Sequence, residues 1–156
     1  MANQVEGFTD FIARYENAFN CRDYTKLLDL WSPEVEEPWY QPEEVSEPLI
    51  GWQALTEYVE SLPVTFDSFE VKSTNHRTKP GPADSVVFMF ALHWRGRLKG
   101  ATSPIAATVR VSGLLQEHLG ELKLLHYVES GPSALPFVRK AYVMLAEQGV
   151  WSQKLR

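Results

Sequence analysis

Close to Pro63 the period of the apolar residues changes, and the new pattern holds to about Glu129. Before that point apolar side chains recur three and four residues apart, the spacing of one helix face. After it they alternate or run together, as strands do. A chain that keeps helices and strands apart in this way folds as α+β, with helices packed on one side of a bent antiparallel sheet. Its 156 residues make a single domain, 1–156, with a core over about 5–130, and at 44% hydrophobic it has the apolar surface for a real interior.

In the helical part, Phe8, Phe11, Ile12, Tyr15, Ala18 and Phe19 define the buried face of a first helix. Asn20-Cys21-Arg22 breaks it, and Asp23 is an N-cap for a second helix bearing Leu27, Leu28, Leu30 and Trp31. Ser32-Pro33 stops that helix, because proline cannot continue a helix interior. Val35 to Tyr40 reads as a short strand, and Gln41 to Pro48, with two prolines and three acids, as a loop or lid. Trp52 to Ser61 fits a third helix.

In the strand part, Val64 to Thr74 alternates in places and Lys79-Pro80-Gly81-Pro82 is a turn. Ser85 to Arg95 is a long strand, apolar on both faces at its centre, and so expected to be covered on both sides. A hairpin around Arg95-Gly96 leads to a strand from Ala101 to Leu115, and a tight turn at Glu117 to Gly120 leads to a last strand from Leu122 to Glu129. Gly131-Pro132-Ser133 opens a final helix over about 133–149. Its stripe is Phe137, Val138, Ala141, Tyr142, Met144 and Leu145, and Gly149 stops it.

Composition removes several functions. A net charge of -5 argues against nucleic-acid binding, which rests on neutralising phosphates. The cationic run Arg95-Gly96-Arg97-Leu98-Lys99 is short and reads as a solvated strand end. Cys21 is the sole cysteine, so no internal disulfide forms. The N-terminus lacks the features of a signal peptide and the apolar run Val86 to Leu92 is too short to span a membrane, so a cytoplasmic protein is expected. His76, His93, His118 and His126 have no metal-ligand spacing. Phosphate-loop, dinucleotide and Ser-His-Asp patterns are absent, and no metal or cofactor is expected.

Three pieces of the chain carry a family resemblance. They are Ala13-Arg14-Tyr15 through Asn20, Asp23 and Leu30-Trp31-Ser32-Pro33-Glu34; Glu36-Glu37-Pro38 with Gly51 and its helix; and Trp94-Arg95-Gly96-Arg97 through Ser103-Pro104-Ile105-Ala106, then Gly120-Glu121-Leu122-Lys123. With them the chain resembles the NTF2-like superfamily, a cone-shaped α+β fold that includes SnoaL-like polyketide cyclases, ketosteroid isomerases and limonene epoxide hydrolases. The resemblance implies helices packed on a bent sheet around a central cavity. It sets Tyr15 on the oxyanion-hole tyrosine of the isomerases and Glu37 on their general base. Their second oxyanion-hole acid falls on Ala106, which donates nothing. The resemblance also implies that Phe88, Phe90, Leu92 and Trp94 point into the cone, and that the outer sheet face joins two copies into a homodimer.

Each candidate has a plainer reading. Tyr15 also fits a core position beside Phe11 and Phe19, and Glu37 also fits an exposed acid in an acidic stretch. Alternation puts Glu37 and Trp39 on one strand face and Glu36, Pro38 and Tyr40 on the other, and one of these sets lines the cavity. Glu44 and Glu47 are lid acids that either close over a ligand or are simply solvated. Trp39, Tyr40, Trp52, Tyr58, Phe90, Trp94 and Tyr127 are the candidate substrate-binding residues, an aromatic lining suited to a flat apolar ligand. The function expected is a cofactor-independent isomerase or lyase working by general acid/base chemistry on a small apolar, aromatic or terpenoid substrate. The alternatives are a non-catalytic binding or dimerisation module, and a hydrolase of the epoxide hydrolase type using Arg110.

Overall fold

The computed structural model describes residues 2–131, with side chains from Glu6 onward, so the expected last helix over about 133–149 lies outside the described residues. The helices are α1 (Ala2–Asn20), α2 (Thr25–Leu28) and α3 (Gly51–Thr65). The strands are β1 (Trp39–Gln41), β2 (Leu49–Ile50), β3 (Phe66–Pro80), β4 (Val86–Leu98), β5 (Ile105–His118) and β6 (Glu121–Ser130). All six strands join one sheet in the order β2-β1-β6-β5-β4-β3. From β3 to β6 it is an antiparallel meander. β1 lies parallel to β6, with Tyr40 opposite Tyr127, so the sheet is mixed rather than wholly antiparallel. No hairpin ties β1 to β6, so no turn imposes an antiparallel direction on that pair. No described helix is long and apolar enough to cross a membrane.

The apolar face of α1 is buried as its spacing demands, with Phe11 and Ala18 fully covered and Phe8, Ile12, Tyr15 and Phe19 nearly so. Phe8 and Phe11 meet Phe88 of β4 at 5.7 and 5.8 Å between ring centroids. The helix ends in a paired-bond cap. Arg22, in the left-handed region at φ 55, sends its N–H to the Phe19 carbonyl, and Asp23 sends its own to Ala18. Asn20 then pairs its side-chain amide with both backbone groups of Val71, fixing the helix end to β3.

Several boundaries differ from the sequence pattern. The strand expected over Val35 to Tyr40 is confined to Trp39–Gln41, since Pro38 has no N–H to give a ladder. α3 continues past Ser61 through Pro63 to Thr65, so the proline forgoes one intrahelical hydrogen bond near the helix end without stopping it at once. No hairpin forms at Arg95-Gly96; β4 runs on to Leu98. Gly96 serves close packing instead, because a Cβ there lies 2.8 Å from the Phe69 ring. β4 is covered on one face only among the described residues: Val86, Phe88, Phe90 and Leu92 are buried, while Met89 on the outer face is 54% exposed.

One irregularity positions the site. In β6, Leu122 and Leu124 face the core, which by strict alternation turns Tyr127 and Glu129 outward. A bulge prevents this. Leu115 pairs with Leu124 and Leu114 with His126, so Leu125 is an extra residue and the phase inverts beyond it. Gly113 makes room, since a Cβ there collides with the His126 carbonyl and lies 2.7 Å from the Phe88 ring.

Candidate active site

Four phenols and one carboxyl converge between α1, α3 and the β1–β6 end of the sheet. Tyr15 comes from α1, Tyr58 from α3, Tyr40 from β1, and Tyr127 and Glu129 from β6 just past the bulge. The Tyr15 and Tyr127 hydroxyls are 2.6 Å apart, and both residues are buried. Tyr40 donates to Glu129 Oε1 at 3.0 Å. Tyr58 donates to Glu44 Oε1 at 2.6 Å. The rings lock the arrangement edge to face, Tyr40 against Tyr127 at 5.2 Å and against Tyr58 at 5.3 Å.

Electrostatics sort these groups into two kinds. Burial drives the Tyr15, Tyr40 and Tyr127 phenols well above their ordinary range, with the nearby Glu129 charge adding to it. Burial does the same to Tyr58, helped by Glu44. All four therefore stay neutral and act as hydrogen-bond donors. Burial also pushes the Glu129 carboxyl up to about 7; the Tyr40 hydrogen bond opposes this and the charges of Glu44 and Glu43 reinforce it. A carboxyl with that value takes and returns protons near neutral pH, the condition for general acid/base work.

The space beside these groups is small. A cavity of about 30 Å³ lies among Tyr15, Trp31, Tyr40, Tyr58 and Tyr127, with leucines and Phe19 closing it. That holds roughly two water molecules, so a substrate must displace side chains to enter. The loop from Pro42 to Pro48 covers this end. Glu43 Oε1 accepts from the Trp94 indole at 3.2 Å, and Gln41 braces the loop by donating to the Pro42 and Val45 carbonyls.

The candidates named from the sequence divide accordingly. Tyr15, Tyr40, Tyr58 and Tyr127 come together, Phe90 touches Tyr15 at 5.7 Å, and Trp94 reaches the cluster through Glu43. Glu37 and Trp39 do not join them. Both are exposed, with the Trp39 indole donating to Glu37 Oε2 at 3.4 Å, because the strand register turns Tyr40 inward and Trp39 out. The register question is settled by Tyr40, and the inward-facing carboxyl is Glu129. Trp52 is half-buried and donates to the Val35 carbonyl, bordering an outer groove. Arg110 also faces outward and donates to the Gly131 carbonyl, so the water-activating role considered for it has no support in its position. Glu129 was absent from the sequence candidates. Its signal is the tandem Leu124-Leu125, which breaks the alternation and puts Glu129 on the same face as Tyr127.

No protein-family model and no curated protein matches the chain. Solved structures do. A candidate scytalone dehydratase from Novosphingobium aromaticivorans superposes with a TM-score of 0.73 at 9% identity, over 83% of this chain and 84% of that one. An NTF2-like superfamily protein from Salmonella enterica serovar Typhimurium gives 0.70 at 19% identity, over 82% and 90%. The hexachlorocyclohexane dehydrochlorinase LinA type 2 gives 0.67 at 12% identity, over 85% and 90%. Identities this low speak to the fold. With a curved six-stranded sheet, helices on its inner face and an aromatic centre, the chain has the cone fold of the NTF2-like superfamily.

Proposed function

We propose that this protein is a cofactor-independent lyase or isomerase that moves a proton on a small, uncharged, largely apolar substrate. The observation that carries this reading is Glu129, a partly buried carboxyl held near 7 that accepts a hydrogen bond from the Tyr40 hydroxyl and lies among four phenols. In its charged form Glu129 removes a proton from carbon beside a substrate carbonyl. The electron pair moves to the oxygen, where the Tyr15 and Tyr127 hydroxyls stabilise it. Glu129 then returns the proton to a different carbon, completing an isomerisation, or gives it to a hydroxyl on the adjacent carbon, which leaves as water. Two of the structural neighbours bear the names of a dehydratase and a dehydrochlorinase, and both names denote eliminations.

The lining also favours one charge class. No basic side chain lines the central cavity among the described residues, while Glu43 and Glu44 lie close enough to Glu129, the partner of Tyr40, for their charges to add to its own. An anionic substrate meets repulsion there and a neutral one does not. The open outer sheet face, with Met89 about half exposed, is the surface proposed to pair two copies as a homodimer.

A non-catalytic module is the second reading, and the small cavity favours it: a core filled this far needs no substrate to complete it. Incubation with a panel of apolar ketones and hydroxyketones in D2O, read by mass spectrometry, separates the two. The enzyme reading expects deuterium uptake or loss of water from at least one uncharged compound. Binding of such compounds with no exchange in any of them supports the module instead.

A further inference from the structure

The mouth of the cone is bare on one side among the described residues. β6 ends at Ser130, opposite Arg110, but β5 extends beyond that pair as far as Ile105. Residues 105–109 therefore have β4 on one side and no described strand on the other. On the inner face of this overhang Ala107 lies opposite Trp94, and Ile105 opposite Gly96. Trp94 and Ala107 are half-buried and Ile105 is 48% exposed, whereas Val109, the next inward residue, is buried. Glu43, which holds the Trp94 indole, and Glu129 are also partly exposed. We propose that residues 133–149 of this chain cover this shelf, with the apolar stripe from Phe137 to Leu145 set against Trp94, Ala107 and Ile105.

The chain leaves the sheet at this place. Arg110 donates to the Gly131 carbonyl at 3.1 Å. A Cβ on Gly131 would sit 3.3 Å from Glu43 Oε2, and the other oxygen of Glu43 takes the Trp94 indole hydrogen. One side chain thus separates the last described residue from the shelf. Pro132 is next in line for the β5 edge but has no N–H to give, which disfavours continuing β6 along that edge.

The reach fits as well. Along β5 the distance from the Arg110 pair to Ala107 is about 10 Å. In a helix the rise from Gly131 to Phe137 is about 9 Å, so the stripe begins level with the shelf. From Phe137 to Leu145 the rise is about 12 Å, enough to cross from β5 over β4 to β3 at about 4.8 Å per strand. A helix with one apolar stripe is stable only when that stripe is buried. The outer sheet face offers no equal at this level, because Thr108, His93 and Lys72 there are polar and exposed. Covered in this way, the mouth gains an apolar wall beside Glu43 and Glu129.

The test joins two cysteines in the full chain, in a Cys21→Ser background, with a short dimaleimide. Ile105→Cys with Phe137→Cys should link within one chain, read by mass spectrometry after proteolysis, at about tenfold or more the yield of Leu119→Cys with Phe137→Cys. Leu119, 91% exposed in the turn after β5, reports chance encounter, and Met89→Cys with Phe137→Cys reports docking on the outer face. A higher yield from Met89, equal yields from all three pairs, or links only between chains overturns the proposal. A second measurement needs no cysteine. Val138→Asp sets a charge in the stripe and should raise the deuterium uptake rate of residues 105–109 by about tenfold, while residues 86–90 keep the wild-type rate and show that the sheet is intact. Unchanged uptake at 105–109 also overturns the covering. The covering needs no chemistry at Glu129, so a protein that gives the expected link yet exchanges no substrate proton overturns the proposed function alone.

Discussion

Glu129 makes the stability of the protein depend on pH, with a sign and size that follow from its surroundings. Its ordinary value is 4.5 and its folded value about 7. Below the lower value both folded and unfolded chains hold the proton, and the group contributes nothing to the balance. As pH rises between the two, the unfolded chain releases the proton while the folded protein keeps it. Stability therefore falls by about 1.4 kcal/mol per pH unit, or about 3 kcal/mol over the window. Above the folded value the loss is complete and the curve is level. Glu129→Gln has no proton to release, so from acid to alkaline pH it should gain about 3 kcal/mol on the wild type, roughly 10 °C in Tm for a chain of this length. The exchange of carboxyl for amide shifts the whole difference curve, and only its pH dependence reports the carboxyl. Urea unfolding of both proteins, followed by tryptophan fluorescence in steps from about pH 4 to 9, gives that difference free of the other acids. A flat difference, or one that falls with pH, refutes the raised value assigned to the Glu129 carboxyl.

Other outcomes test the supporting parts. Tyr15→Phe removes one member of the 2.6 Å hydroxyl pair and should destabilise the fold by about 1–3 kcal/mol in denaturant melts. With a substrate in hand, the same variant should lower the exchange rate by about 100-fold while leaving binding near wild type. Gly113→Ala forces a methyl against the His126 carbonyl and the Phe88 ring, and should cost about 1–3 kcal/mol as well as the infrared signature of a neutral-pH carboxyl. Met89→Lys sets a charge in the outer sheet face; sedimentation should show a wild-type dimer and a monomeric variant, and two identical profiles argue against that face as the interface.

The helix faces were legible because they depend on local spacing: Phe11, Tyr15 and Phe19 need only a period to be placed. The inward set of β4, Phe88 to Trp94, was legible only through the family resemblance, because a strand apolar on both faces at its centre does not itself say which face is inward. Glu129, the carboxyl proposed to move the proton, was not, because its orientation depends on an inserted residue. One extra leucine at position 125, inserted opposite the Leu114–Leu115 step with Gly113 making room beside it, reverses every side chain that follows it. The Glu37 assignment failed on a related point. Pro38 stands between Glu37 and the ladder, and the pairing of Tyr40 with Tyr127 fixes the register so that Glu37 and Trp39 lie outside. The turn at Gly96 was misplaced because glycine marks either a turn or a close approach, and the Phe66 and Phe69 rings that decide between them come from a strand about thirty residues earlier.

The most direct test compares two carboxylates in one assay. Once a compound from the panel exchanges with solvent deuterium, the rate is measured in Glu129→Gln and in Glu37→Gln. Glu129→Gln should lose about 100-fold or more, the scale of a lost general base, while Glu37→Gln stays within about twofold of wild type. A full rate in Glu129→Gln, with the loss falling on Glu37→Gln, contradicts the assignment of the inward-facing carboxyl as the group that moves the proton.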